Sequence, residues 1–321
     1  MTDVYLKRKG YSMRFHHDVH THTHISSCST DRLATPENYI RAAAELGHTT
    51  FGFSNHLWDE MVEGENGWYH KQCFAHILSE KERIFSLDNC GMKILFGAEV
   101  EYCGKSDTLA IKAENASVLD YVLVPFTHVH MEGFVIPRIE WHERFRKEFK
   151  DQLTDTFPWM LEATAEKLAN SMKIHDSMPA IGYSREEYEK YVAEFAMNSY
   201  EQLLDNPEFE KLSKTLPVII AHPFSPGKEI EHGYRERLRE SFKKTARMGV
   251  AFDINMCAYG AKETLEDSDL VQVMREAREC GVKFTFGTDA HSVASLSTIE
   301  KGDDVADAIG ITGDDIFELV K

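Results

Sequence analysis

The sequence predicts an α/β fold organised on a parallel sheet. Seven short β-branched or aromatic runs recur along the 321 residues, around 15–19, 50–53, 94–96, 121–126, 218–221, 250–254 and 283–286. Most are apolar at successive positions, which suits strands buried on both faces. Segments of helical period separate most of them, and alternating strand and helix over about seven units is the pattern of an α/β domain.

Two of the helical segments show their ends clearly. In "TPENYIRAAAELG" Thr35 is placed to cap, Pro36 takes the first helical position and Gly47 stops the helix. "DSDLVQVMREARECG" repeats the plan, with Asp267 or Ser268 opening and Gly281 closing. One interval breaks the rhythm: between Phe126 and Val218 the chain is long, charged and rich in helical pattern, with "DSMPAIGYS" as a turn-like break. A pair of helices packed outside the sheet is expected there, part of it serving as a lid or substrate wall.

With 42% hydrophobic residues and no low-complexity tract, the chain can bury a large core. No signal-peptide-like apolar segment or bilayer-length apolar run occurs, so a soluble, cytoplasmic protein is expected. Thirty-six Lys plus Arg against fifty-three Asp plus Glu give a net charge of −17. That disfavours long nucleic acids and anionic membranes. A small phosphorylated substrate stays compatible, because bound cations can reverse the field locally. The six cysteines form no CxxC pair, so they are read as reduced thiols, most of them in the core.

The strand ends carry the chemistry. They read Asp18-Val19-His20-Thr21-His22, Ser54-Asn55-His56, "GAEVEY" with Glu99 and Glu101, "THVH" with His128 and His130, "AHPF" with His222, "DINM" with Asp253 and Asn255, and "GTDAHS" with Asp289 and His291. In a parallel barrel these ends converge on one rim. Spacing of i, i+2 on an extended strand places His20 with His22, His128 with His130, and Asp289 with His291 on common faces. Imidazole and carboxylate suit zinc, manganese and iron. With His56, His222 and Glu99 added, the donors exceed what one ion uses, so two or three divalent metals are expected. His16, His17, His48, His70, His76, His142, His175 and His232 lie away from strand ends and are read as surface or hydrogen-bonded residues.

In their order along the chain, "DVHTHTH", "FSNH", "GAEVEY", "FTHVH", "IAHPF" and "GTDAHS" resemble the motifs of the polymerase and histidinol phosphatase (PHP) family of metal-dependent phosphoesterases. The resemblance spans nearly the whole chain. It implies a distorted (β/α)7 TIM-like barrel as a single domain over 1–321, with a helix-rich insertion at about 134–216. It also implies metal ligands at His20, His22, His56, His128, His222, Asp289 and His291, with Glu99 as a carboxylate bridging two metals. Where the family offers His or Asp after its HxH pair, this chain has Cys28, with Asp31 three residues on; either could serve a third site. Glu101 could orient a ligand histidine, and His24 and His130 extend the alternation beyond what the family needs.

The activity implied is hydrolysis of a small phosphate monoester, histidinol phosphate being the first to try, by a hydroxide held between metals. Glu99, Asp289 and His291 are the catalytic candidates. Lys262, Arg138 and Arg185 are candidates for a phosphate clamp. The competing readings are a nucleotide or oligonucleotide phosphoesterase, an amidohydrolase of a related barrel, and a metal-binding module without turnover.

Overall fold

Apolar runs buried on both faces need neighbours on either edge as well, and the computed structural model satisfies them by curling the sheet on itself. It describes residues 14–128, 131–171, 185–224 and 227–320. The strands are β1 (His17–Asp18), β2 (Thr50–Phe53), β3 (His56–Leu57), β4 (Lys93–Val100), β5 (Tyr102–Cys103), β6 (Thr108–Leu109), β7 (Tyr121–Val124), β8 (Val218–Ile220), β9 (Ala251–Asn255) and β10 (Lys283–Gly287). Seven of them pair in parallel in the order β1, β2, β4, β7, β8, β9, β10. The first and last then meet. Val19 N donates to the Phe286 carbonyl (3.2 Å), Asp289 N donates to the His20 carbonyl (2.8 Å), and Thr21 bridges Ala290. The result is the nearly closed, seven-stranded α/β barrel expected.

Two features escaped the sequence reading. The short β3 pairs with β4 beyond the end of β2, in a register that sets His56 opposite Glu99. The antiparallel pair β5–β6 follows β4.

The helices are α1 (Pro36–Glu45), α2 (Phe74–Ser86), α3 (Glu140–Thr156), α4 (Glu162–Ser171), α5 (Arg185–Asp205), α6 (Pro207–Thr215), α7 (Arg235–Met248), α8 (Asp269–Glu279) and α9 (Gly302–Ile309). α1 starts as expected, with the Thr35 side chain accepting from Asn38 N. At α8 the cap is Ser268, which accepts from Val271 N. Between β7 and β8 stand four described helices where a pair was expected. Pro158 follows the end of α3, and Asn206-Pro207 caps and opens α6 directly after α5, so breaker chemistry divides each long charged run. "DSMPAIGYS" and His175 lie outside the described residues.

α5 is tied to the barrel through Tyr200, whose ring lies 5.2 Å from Phe126 and 5.1 Å from Phe224. Inside the barrel, Tyr121 Oη donates to the Val19 carbonyl (2.7 Å). A Cβ at position 52 would fall 2.4 Å from that hydroxyl, so Gly52 is what lets the tyrosine plug the barrel beneath the rim. The cysteines are free, but the core expectation holds only for Cys103; Cys90 and Cys257 are exposed and the others half-buried, because they sit in turns and helix ends rather than on strands. Among the described residues no helix is long and apolar enough to cross a membrane.

Candidate metal centre

The carboxylate of Glu99, buried near the C-terminal end of β4, is the hub of the rim. Its Oε2 lies 3.5 Å from His20 Nε2, 3.2 Å from His22 Nε2 and 3.2 Å from His56 Nδ1. Its Oε1 lies 3.1 Å from His222 Nε2 and 3.9 Å from His128 Nε2. The two oxygens therefore face two different sets of imidazoles. Asp289 joins the first set, with Oδ1 3.6 Å from His20 Nε2 and 3.2 Å from His22 Nε2. The Nε2 atoms of His128 and His222 face each other at 3.3 Å.

A second layer fixes which nitrogen faces inward. His20 Nδ1–H donates to Asp253 Oδ2 (2.8 Å), leaving Nε2 for the cluster. His128 Nδ1–H donates to Glu101 Oε2 (2.6 Å), which also accepts from Tyr69 Oη (2.7 Å). Asn255 Nδ2 donates to Asp289 Oδ2 (3.1 Å) and so turns Oδ1 toward the histidines. Carboxylate and amide partners of this kind set tautomer and ring orientation at metal sites. Glu101 thus takes the orienting position expected of it, and Asp253, close to His20 only in the folded chain, does the same.

The backbone is bent to deliver these groups. His222 and Asp289 stand at φ of 30° and 51°, the left-handed region that costs a non-glycine residue on the order of 1 kcal/mol or more. At Gly287 a Cβ would come within 2.4 Å of His20 Cβ and 2.6 Å of Asp253 Oδ1, so the His20–Asp253 pair fits only against glycine.

His222 Nε2 hydrogen-bonds Glu99 Oε1, but around Oε2 proximity has not produced hydrogen bonds. His20 Nε2, both ring nitrogens of His22, and His56 Nδ1 are buried without a hydrogen-bond partner, although carboxylate oxygens stand within 3.2–3.6 Å of three of these four atoms. Each such group costs about 1–3 kcal/mol if nothing else satisfies it. Divalent cations fit this donor set: the nitrogens converge, the oxygens are anionic, and imidazole with carboxylate suits zinc, manganese or iron. Donor atoms lie within 4.8 Å of one another in three groups: His20, Glu99 and His222; His20, His22 and Asp289; and His22, Cys28, His56 and His291.

The electrostatics agree. Burial works to neutralise Glu99 and Asp289, but the facing imidazoles, His56 and His20 foremost for Glu99 and His20 for Asp289, hold both carboxyls well below their usual range. Burial likewise opposes charge on His20 and His22; Asp289, Glu99 and Asp253 raise His20, and Cys28, Asp289 and Glu99 raise His22. Burial alone would raise the Cys28 thiol, yet His22, His291 and His56 around it bring it down to about 3.

The cluster floors a cavity of about 700 Å³. Its walls include Trp68, Tyr69 and Phe134 on one side, and Glu132, Arg138 and Arg146 from the segment around the start of α3. Arg146 bridges Glu132 (2.8 Å) and Glu143 (3.0 Å). Arg138 is thus at the cavity, as a clamp candidate should be. Lys262 pairs with Asp304 and is absent from the described lining; the Arg185 side chain and His130 lie outside what is described. His24 leaves the rim, with its ring beside Glu80 of α2 (3.8 Å), because the strand has already ended and the chain turns at 24–28. Trp68, Glu132 and Arg146 carried no sequence signal, since loop and insertion residues follow no period.

Residues 18–257 match the PHP domain family. The chain belongs to the PHP domain family. Its fold is similar to that of a histidinol phosphate phosphatase from Lactococcus lactis, solved with zinc, L-histidinol and phosphate, at 14% identity and a TM-score of 0.52 over 91% of this chain and 93% of that one. A protein assigned as a histidinol phosphatase from Listeria monocytogenes is similar at 12% identity and a TM-score of 0.50, over 87% of this PHP-domain chain and 97% of that one. No curated protein sequence matches the chain.

Proposed function

We propose that this PHP-domain protein is a metal-dependent phosphoesterase that hydrolyses a small phosphate monoester, with histidinol phosphate the first substrate to test. The observation that carries the reading is the convergence of imidazoles on the two oxygens of Glu99, with the buried, unpartnered nitrogens of His20, His22 and His56 beside Oε2 and His222 and His128 beside Oε1. His20, His22 and Asp289 with Glu99 Oε2 would hold one cation, and His128 and His222 with Glu99 Oε1 a second; His56 and His291 are the remaining donors. When bound, such cations acidify water from about 15.7 toward roughly 7 and screen the phosphate charge.

The protein's own groups do the positioning. Asp253 and Glu101 keep His20 and His128 in the tautomer whose Nε2 faces inward. Glu99 and Asp289, both held ionised by burial-opposing imidazoles, keep the anionic oxygens that would hold the cations and orient an attacking water, and His291 beside Asp289 completes the catalytic set. The cavity's size suits a small molecule. In this reading residues 1–321 act as one catalytic domain whose insertion at about 134–216 walls the cavity, in the cytoplasm, and Arg138 and Arg146 would supply positive charge to the substrate on exchanging their pairs with Glu143 and Glu132 for it. The aromatic wall of Trp68, Tyr69 and Phe134 favours a planar leaving group, which keeps a nucleotide as the second reading.

Phosphate release from protein loaded separately with zinc, manganese and iron, on a panel of monoesters, diesters and nucleotides, tests this. At least one form is expected to turn over monoesters, with His20→Ala slower by about 10²- to 10³-fold, the scale of losing one preorganised electrostatic group. Absence of hydrolysis in every metal form, with His20→Ala indistinguishable, would sink the proposal. A diester preferred over every monoester would move it to the nucleotide reading.

A further inference from the structure

One donor in the cavity floor is chemically unlike the rest. Cys28 groups with His22, His56 and His291, each offering an atom within 4.8 Å of the others. Asp31, three residues on, is spent on its own turn, its Oδ1 accepting from Leu33 N (2.8 Å).

The loop that carries the sulfur is built to hold it there. Gln72 is buried, and its Oε1 accepts from Ser26 Oγ (3.2 Å) and Ser27 N (3.1 Å). On the other side Ser29 Oγ donates to the His291 carbonyl (2.9 Å). Residues 26–29 are thereby clamped between the Gln72 amide and the backbone of the last rim histidine. The imidazoles around the sulfur include the buried nitrogens left unpartnered, both of His22 and Nδ1 of His56.

Resting on the metal-centre reading above, we propose that Cys28 is the sulfur donor of a cation site completed by His56 and His291, with His22 left to the neighbouring site, and that this site selects a thiophilic ion, zinc in particular, over manganese. The reason lies in donor softness. A thiolate with imidazoles matches zinc, whereas manganese favours the oxygen-rich surroundings of Glu99 and Asp289. One cavity then presents two kinds of ion site side by side.

Cobalt(II) loading of the metal-free protein reads this directly. The wild type is expected to show a near-ultraviolet thiolate-to-cobalt charge-transfer band, retained in Asp31→Asn and absent in Cys28→Ser. In Cys28→Ser the preference of one bound equivalent for zinc over manganese is expected to fall about 10- to 100-fold or more. A measurement needing no variant accompanies it: zinc should shield Cys28 of the wild type from iodoacetamide, scored by peptide mass mapping. Cobalt bound without a thiolate band, or Cys28 alkylated equally fast with and without zinc, overturns the inference. Band and shielding persisting in a protein that hydrolyses no phosphoester would instead overturn only the phosphoesterase reading.

Discussion

Two stretches of the same N-terminal segment treat buried polar groups in opposite ways. His17 and Asp18, on β1, are bonded within the protein: His17 Nε2 accepts from Phe286 N (2.9 Å), and Asp18 accepts from His20 N, Thr288 N and Thr288 Oγ1. His20 and His22, a few residues on and as deeply buried, keep three ring nitrogens without partners. The first pair stitches the seam to β10; the second is held open for something the polypeptide does not supply. Residue type and burial therefore do not separate a structural histidine from a ligand. What marks the second pair is convergence: their unpartnered Nε2 atoms gather on the carboxylates of Glu99 and Asp289.

The largest break in that contrast is expected from Asp253→Asn, which removes the anionic partner fixing His20. Metal affinity should fall by about 10- to 100-fold while the folded far-ultraviolet spectrum is kept, measured by competition with a chelating dye. An unchanged affinity would mean that Asp253 does not orient the ring. His17→Leu should do the converse, leaving Phe286 N–H buried and unpaired. A loss of about 1–3 kcal/mol in denaturant unfolding is expected, with metal affinity unchanged.

The mildest effect is in pH. Burial drives His17 down to about 3, against 6.5 in an unfolded chain, so the unfolded state binds more protons and this group's contribution is lost as pH falls from 6.5 toward 3. At His128 burial acts the same way but is outweighed by Glu101, which lifts it to about 9. Its contribution is full below 6.5 and lost as pH rises toward 9. The acid limb should appear with or without metal, and the alkaline limb only in metal-free protein, since bound cations stabilise the neutral ring. Thermal unfolding across pH 3–9 in both forms checks this; an alkaline limb of equal size in the loaded protein would contradict it.

Most of the fold was legible because its signals are local. Seven apolar runs, a Thr-Pro helix start before α1 and the Ser268 cap of α8 each depend on a few adjacent residues. The rim was legible for the same reason, since each strand ends in its own His, Glu or Asp. What could not be read was pairing across the chain. The register that sets His56 against Glu99 depends on β3, a two-residue strand with no pattern of its own. Asp253 reaches His20 only because β9, β10 and β1 are neighbours and position 287 lacks a side chain. Arg146 and Trp68 enter from irregular or inserted segments, where function leaves no periodic trace. Cys28 and Asp31 were both candidates from the sequence, and the fold separates them: the Cys28 sulfur lies with His22, His56 and His291, whereas Asp31 accepts from Leu33 N.

The meeting of β1 with β10 has a consequence for assembly. His20 and His22 stand at one end of the barrel's circuit, Asp289 and His291 at the other, and the backbone bonds between these strands bring them together. No fragment lacking either terminal strand contains the full donor set. Cations bound there would act as a clasp across this seam, favouring the ring over any opened form by mass action.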